Sequence, residues 1–192
     1  MNRPLCLAFA AFALGAAPAM AEAEKYALDA SHSQILFSYN HLGYSTNWGL
    51  FSGFNGEIQF DAENPAESSV TVSFPADTML TGWEARLQHF MSPDFFDPAK
   101  DQTVSFTSTA IEVTGENTAK ITGDLTLNGV TKPVVLDTTL NQAGEHPMEK
   151  KPWLGFTATT TLVRSEFGLG NFAPFISDEV PVTINIEAAK AE

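Results

Sequence analysis

The sequence predicts an all-β fold, an eight-stranded antiparallel barrel with one short amphipathic helix near residues 82–91. Three observations lead there. Apolar residues alternate with polar ones at a period of two along most of the chain. Turn signals divide that alternation into short segments. A helical period occurs in one place, around Trp83 to Met91.

The N-terminus precedes this pattern. Asn2 and Arg3 lead into an apolar run from Leu5 to Ala17, and Ala19, Met20 and Ala21 stand just before the first acid, Glu22. A basic start, a short apolar run and a small-residue site make a secretory signal peptide, with cleavage expected after Ala21. The run is shorter than the roughly 18 apolar residues of a spanning helix. Residues 22–192 then form a single domain of roughly 170 residues. The only cysteine, Cys6, sits at the start of the leader's apolar run. A lipoprotein would need it after the run. The exported chain would therefore have no disulfide and depend on packing alone.

The formal charge is −13, and loss of Arg3 with the leader makes it one unit more negative. Such a surface repels phosphate backbones and anionic headgroups, so no nucleic-acid partner and no electrostatic membrane attachment are expected. Hydrophobic residues make up 44% of the chain and include 15 Phe, which points to a large apolar interior.

In order along the chain, Ile35, Phe37, Tyr39 and His41 share one face of a first strand. Phe54, Ile58 and Phe60 share another, then Val70, Val72 and Phe74. Val104 and Phe106 open a strand whose apolar phase slips to Ile111 and Val113, which calls for a bulge. Ile121, Leu125 and Leu127 follow, then Val134, Leu136 and Leu140; Leu154, Phe156, Ala158 and Leu162; and Val180, Val182, Ile184 and Ile186. Asn128 and Gly129 between Leu127 and Val130 read as a type I′ hairpin turn. Asn64 with Pro65 and Gly115 with Asn117 give weaker turn signals. Short connections mean antiparallel neighbours, and eight strands with one apolar face close into an up-and-down barrel that leaves no edge.

The helical segment starts with a capping box, Thr81 to Glu84, and carries Trp83, Leu87, Phe90 and Met91 on one stripe before Ser92 and Pro93 end it. The turn that follows holds Phe95 and Phe96 side by side. Helix and turn together read as a lid on one end of the barrel, or as completion of its core.

Taken together, these segments resemble the YceI-like family. The resemblance is carried by Leu28, Asp29, Ser31, His32, Ser33 and Phe37; by His41; by Gly53, Phe54, Gly56 and Asp61; by Asp77 and Thr78; and by Leu87 with Phe95, Phe96 and Asp97. It continues through Phe106 and Ser108, then Gly123, Leu125, Thr126 and Asn128 to Val134, then Arg164, Ser165, Phe167 and Gly168, and Ser177, Asp178 and Val180. It implies a lipocalin-like barrel in the periplasm that encloses a polyisoprenoid or isoprenoid quinone. The expected partner is thus an isoprenoid lipid, with no cofactor and no stable membrane insertion; a homodimer stays open.

The candidate ligand-binding residues are His32, Phe37, His41, Phe54, Phe74, Trp83, Leu87, Phe106, Phe156, Arg164 and Phe167. The strand Phe residues would line one cavity. His41, in phase with Phe37, should point inward, either to donate to a quinone or ether oxygen or to bond to backbone. Arg164 is a headgroup contact or an ion pair with Glu166. Asp29, Ser31 and His32 read as a strand-opening turn rather than as a nucleophile and base. The four histidines lack metal-ligand spacing. Gly43 to Asn47 begins like a nucleophile elbow but ends in Asn, away from any strand-to-helix junction. No enzymatic activity is expected. The alternative is a small integral outer-membrane barrel. Glu57, Gln59 and Asp61, with Lys120, Thr122, Asp124 and Thr126, argue against it, since they would face lipid.

Overall fold

The computed structural model describes residues 23–192; the leader read at residues 1–21 lies outside the described residues. The strands are β1 (Glu24–Leu28), β2 (Gln34–His41), β3 (Ser45–Ser52), β4 (Asn55–Phe60), β5 (Ser69–Pro75), β6 (Thr103–Gly115), β7 (Thr118–Leu127), β8 (Val130–Glu145), β9 (Pro152–Val163) and β10 (Glu179–Lys190). One helix, α1 (Glu84–Phe90), sits between β5 and β6.

The sheet runs β1-β4-β5-β6-β7-β8-β9-β10, and β10 pairs β1 again, so eight antiparallel strands close a ring. The β2–β3 hairpin lies beyond it, joined through β2 to β10. The barrel has the expected number of strands but not the simple up-and-down order. The alternation that marked β2 as a ring member belongs to the appended hairpin, and β1 takes the ring position. The cause is length. β10 has twelve residues and β1 only five, so β10 pairs β1 over Ala188–Lys190 and β2 over Val182–Asn185.

The chain crosses from β1 to β2 beside Glu187, where the Asp29 amide donates to the Glu187 carbonyl at 2.8 Å. The buried Ser33 hydroxyl accepts from the Glu187 amide and donates to its carbonyl, both at 3.3 Å, filling the gap in the ladder. Asp29, Ser31, His32 and Ser33 thus form the strand-opening turn. β3 escaped the sequence reading because Ser45, Thr46, Asn47 and Gly49 break its alternation. The elbow-like Gly43 to Asn47 is the tip and start of this hairpin.

The slip in β6 is a bulge between Ser108 and Ala110, which turns Ile111 and Val113 back inward after Phe106. Asn128 and Gly129 have φ of 53° and 74°, the pair of positive values a type I′ turn requires. The expected capping box does not form. Trp83 is the N-cap, and the Thr81 hydroxyl instead donates to the Trp83 carbonyl at 2.9 Å.

Two glycines set the position of two inward aromatics. A Cβ on Gly49 would sit 2.2 Å from Phe37 Cζ, and one on Gly123 would sit 2.3 Å from Phe106 Cζ and 2.6 Å from the Thr107 carbonyl. Each ring packs onto the wall where a side chain is missing, and so leaves the lumen clear. Gly123→Ala must push Phe106 into the lumen, at an expected cost of about 1–3 kcal/mol. A urea midpoint unchanged from that of the parent protein would contradict this packing.

Candidate ligand-binding tunnel

Because inward positions repeat at a period of two on every strand, their side chains converge on the barrel axis. They do not fill it. An almost wholly apolar cavity of about 370 Å³ remains, lined by Ile35, Phe37 and Tyr39 of β2, Ile58 and Phe60 of β4, Val70, Val72 and Phe74 of β5, and the inward residues of β6 to β10. Along β6 it extends from Val104 to Val113. That is about 30 Å of strand, or about 23 Å along the axis at a tilt near 40°.

The two ends differ. At one end Phe51, Phe54 and Phe74 stack with centroids 5.0 and 5.2 Å apart, and Phe54 is only 3% exposed. Phe90 of α1, with Phe95 and Phe96, completes this plug. At the other end the wall passes through Val113, 49% exposed, to a rim of Pro65, Ser68, Ser69 and the turn residues Gly115, Glu116, Asn117 and Thr118. Aromatic side chains crowd the plug end of the tunnel, while polar and backbone atoms line its hairpin end.

The outer wall is the reverse of the inner. Lys120 pairs with Asp137 at 2.7 Å, and Lys25 with Glu57. Charges like these belong in water, not against lipid tails.

The YceI-like domain family matches residues 26–188 of this chain. A UPF0312 protein of Ectopseudomonas mendocina is 40% identical over 191 residues, covering 95% of this chain and 97% of that relative. The chain belongs to the YceI-like family. Among solved structures, Burkholderia cenocepacia BcnA superposes with a TM-score of 0.75 at 22% identity, over 83% of this chain and 98% of that one. The Campylobacter jejuni YCEI protein gives 0.71 at 27%, over 80% and 90%. A polyisoprenoid binding domain from Saccharophagus degradans, implicated in plant cell wall breakdown, gives 0.66 at 15%, over 86% and 98%.

Of the residues singled out in sequence, this YceI-like barrel brings Phe37, Phe54, Phe74, Phe106, Phe156 and Arg164 to the tunnel wall. The others lie elsewhere. His41 ends β2 exposed, bridged to Ile176, because the wall side of the hairpin stops at Tyr39. His32 is exposed in the β1–β2 turn, with Nδ1 2.5 Å from Asp29 Oδ2. That hydrogen bond and the Asp29 charge hold its pKa above the ordinary histidine value. Asp29, His32 and Glu187 bring ligand atoms within 4.8 Å of one another, but Glu187 already accepts from the Trp153 indole at 2.9 Å. Trp83 is 64% exposed, since as N-cap it precedes the half-buried stripe of Leu87 and Phe90; Leu87 packs beneath α1 on the core without reaching the lumen. Phe167 is fully buried outside the tunnel, and its carbonyl accepts from the Asn128 amide at 3.1 Å.

Arg164 pairs with neither Glu166 nor a free headgroup position. Its Nε donates to the Ser177 carbonyl at 2.8 Å, one terminal nitrogen to those of Leu169 and Asn171, and the other to that of Ile176 at 2.8 Å. Burial lowers its pKa, and Asp178 acts in the opposite direction. Glu166 faces Lys132 instead, at 3.8 Å. The guanidinium is thus a clamp for the segment between β9 and β10.

Four further wall residues were not among the candidates: Tyr39, read only as sharing the face of Phe37; Phe95 and Phe96, read only as part of the lid or core; and Ile176, which no sequence pattern singled out. Burial raises the pKa of the Tyr39 phenol. Arg164→Lys keeps the charge but cannot reach four carbonyls, so it should destabilise by about 2–5 kcal/mol. Amide exchange should quicken over residues 169–177 first. Equal protection of that segment in both proteins would show that Arg164 does not hold it.

Proposed function

We propose that this protein binds a long apolar isoprenoid, a polyisoprenoid or the tail of an isoprenoid quinone, along the axis of its barrel, and that it does so in the periplasm as an exported carrier, store or sensor. The observation that carries this reading is the tunnel itself: long, narrow and apolar, plugged by aromatics at one end. A compact ligand would leave most of such a wall uncovered, whereas a linear chain covers it all. The name of the Saccharophagus neighbour, a polyisoprenoid binding domain, fits the same cargo. The leader read at residues 1–21 supports export.

Magnitudes favour selection by length rather than by headgroup. Burying one isoprene unit of five carbons is worth about 3–4 kcal/mol at roughly 0.8 per carbon. A few units approach the practical ceiling near 20 kcal/mol, so ordering costs absorb much of the gain. Affinity is then in excess, and the tunnel's length decides which chains fit. An integral barrel is disfavoured by the ion pairs on the outer wall. The Ser31 and His32 pair lies outside the tunnel, where it cannot meet the cargo.

Protein exported with its own leader and purified without detergent should release one isoprenoid per chain on organic extraction, read by mass spectrometry. Ile121→Trp, at mid-tunnel, should shift the retained population to shorter chains. Ligand-free protein with a tunnel that takes up no isoprenoid would overturn the reading. An unchanged chain-length profile in the folded variant would place the cargo elsewhere.

A further inference from the structure

The plug end carries side chains that the tunnel does not explain. At the β2–β3 tip, Leu42 and Tyr44 are exposed, Tyr44 by 89%; between β9 and β10, Phe172 and Phe175 are exposed, Phe175 by 71%. The two segments are fastened to each other. The Leu42 amide donates to the Phe175 carbonyl at 2.9 Å, the Asn40 amide to the Ser177 hydroxyl at 2.9 Å, and the Ser177 amide to the Asn40 carbonyl at 3.1 Å. Leu42, at φ 57°, makes the two-residue tip turn with Gly43, at φ 78°, and Phe172 also has a positive φ, of 64°. The two fastened segments together hold four large apolar side chains in water at one end of the barrel, the kind of exposed patch that marks an interaction site.

Charge indicates what the partner is. The chain has 23 acidic residues, yet residues 40–48 and 169–177 contain no Asp, Glu, Lys or Arg. A neutral aromatic tip on an acidic body suits the zwitterionic face of a bilayer, where aromatic side chains settle among the headgroups. The same segment reaches the tunnel: Leu169 and Ile176 line it, and Phe172 lies 5.9 Å from Phe95, itself 5.4 Å from Phe90 of the plug.

We propose that the plug end docks on a lipid bilayer through Leu42, Tyr44, Phe172 and Phe175, so that the membrane contact bears directly on the aromatic plug. The inference rests on the proposed isoprenoid cargo for its purpose, since such a cargo enters from and returns to a membrane. Its test does not depend on the cargo.

The exported protein is floated with phosphatidylcholine vesicles, and the cargo of every sample is measured separately by extraction. The parent protein should float, and less well with phosphatidylglycerol-rich vesicles at low salt, where its acidic body is repelled. Phe172→Ser with Phe175→Ser should lower partitioning on the order of tenfold or more for each aromatic removed. Met148→Ser, an exposed apolar residue at the hairpin end, should change nothing. Should the double variant not fold, Phe175→Trp gives a second readout, with its fluorescence quenched by brominated phosphatidylcholine. No flotation, undiminished flotation of the double variant, or no quenching would overturn the proposal. A concentration-dependent dimer that the double variant loses, without flotation, would assign the patch to a second copy and overturn it equally. Absence of extracted isoprenoid in a protein that still floats would instead count against the proposed function.

Discussion

A hollow interior is the constraint on which the rest of this structure depends. Most domains gain stability by filling their core to the density of an organic crystal. Here the axis of the barrel stays open over a cavity of about 370 Å³. Left dry, such a void forfeits about 9 kcal/mol at the roughly 24 cal/mol per Å³ measured for engineered cavities, comparable with the whole stability of an ordinary domain. The barrel must recover this elsewhere. It closes its strands into a ring through the β1–β10 contact, with Ser33 bridging Glu187 beside it, and it concentrates tight packing at one end.

The Phe51, Phe54 and Phe74 stack, the Phe90 edge of α1 and the buried Phe96 form that packed end, while Tyr26, Leu28 and Ala188 fill the seam where the ring closes. Arg164 then holds the segment over the plug by donating to four of its backbone carbonyls. A ligand that fills the remaining void adds its contacts to an existing scaffold and stabilises it by mass action. Fold and proposed function therefore meet in one feature: the space that costs stability is the space that selects a linear apolar chain. The glycines opposite Phe37 and Phe106 serve the same end by keeping those rings on the wall.

Much of this was legible in the sequence because a barrel writes its inside and outside at a period of two. The phase of Phe54, Ile58 and Phe60, of Val134, Leu136 and Leu140, and even the slip between Phe106 and Ile111 translated directly into wall and bulge. The Asn128 and Gly129 turn did too. What the sequence obscured were places where periodicity is interrupted or where chain path decides. β1 is too short to show a period, and β3 is broken by Gly49 and a polar start, so the appended hairpin was invisible. His41 follows the phase of Phe37 but lies past the point where β2 leaves the wall. Arg164 beside Glu166 suggests an ion pair, and only the looping of residues 169–177 around the guanidinium reveals its carbonyl partners. Trp83 fits the helical stripe on paper, yet it caps the helix and faces water.

The claim on which everything else rests is that the barrel is built around a linear apolar guest. A crystal structure of the protein, produced in its own host and purified without detergent, tests that most directly. Unbroken tubular density is expected along the axis from the Phe54 and Phe74 plug toward Val113, with no charged group in contact over its length. An axis occupied by a chain of ordered waters, or closed by inward collapse of Phe37, Phe106 and Phe156, would contradict it.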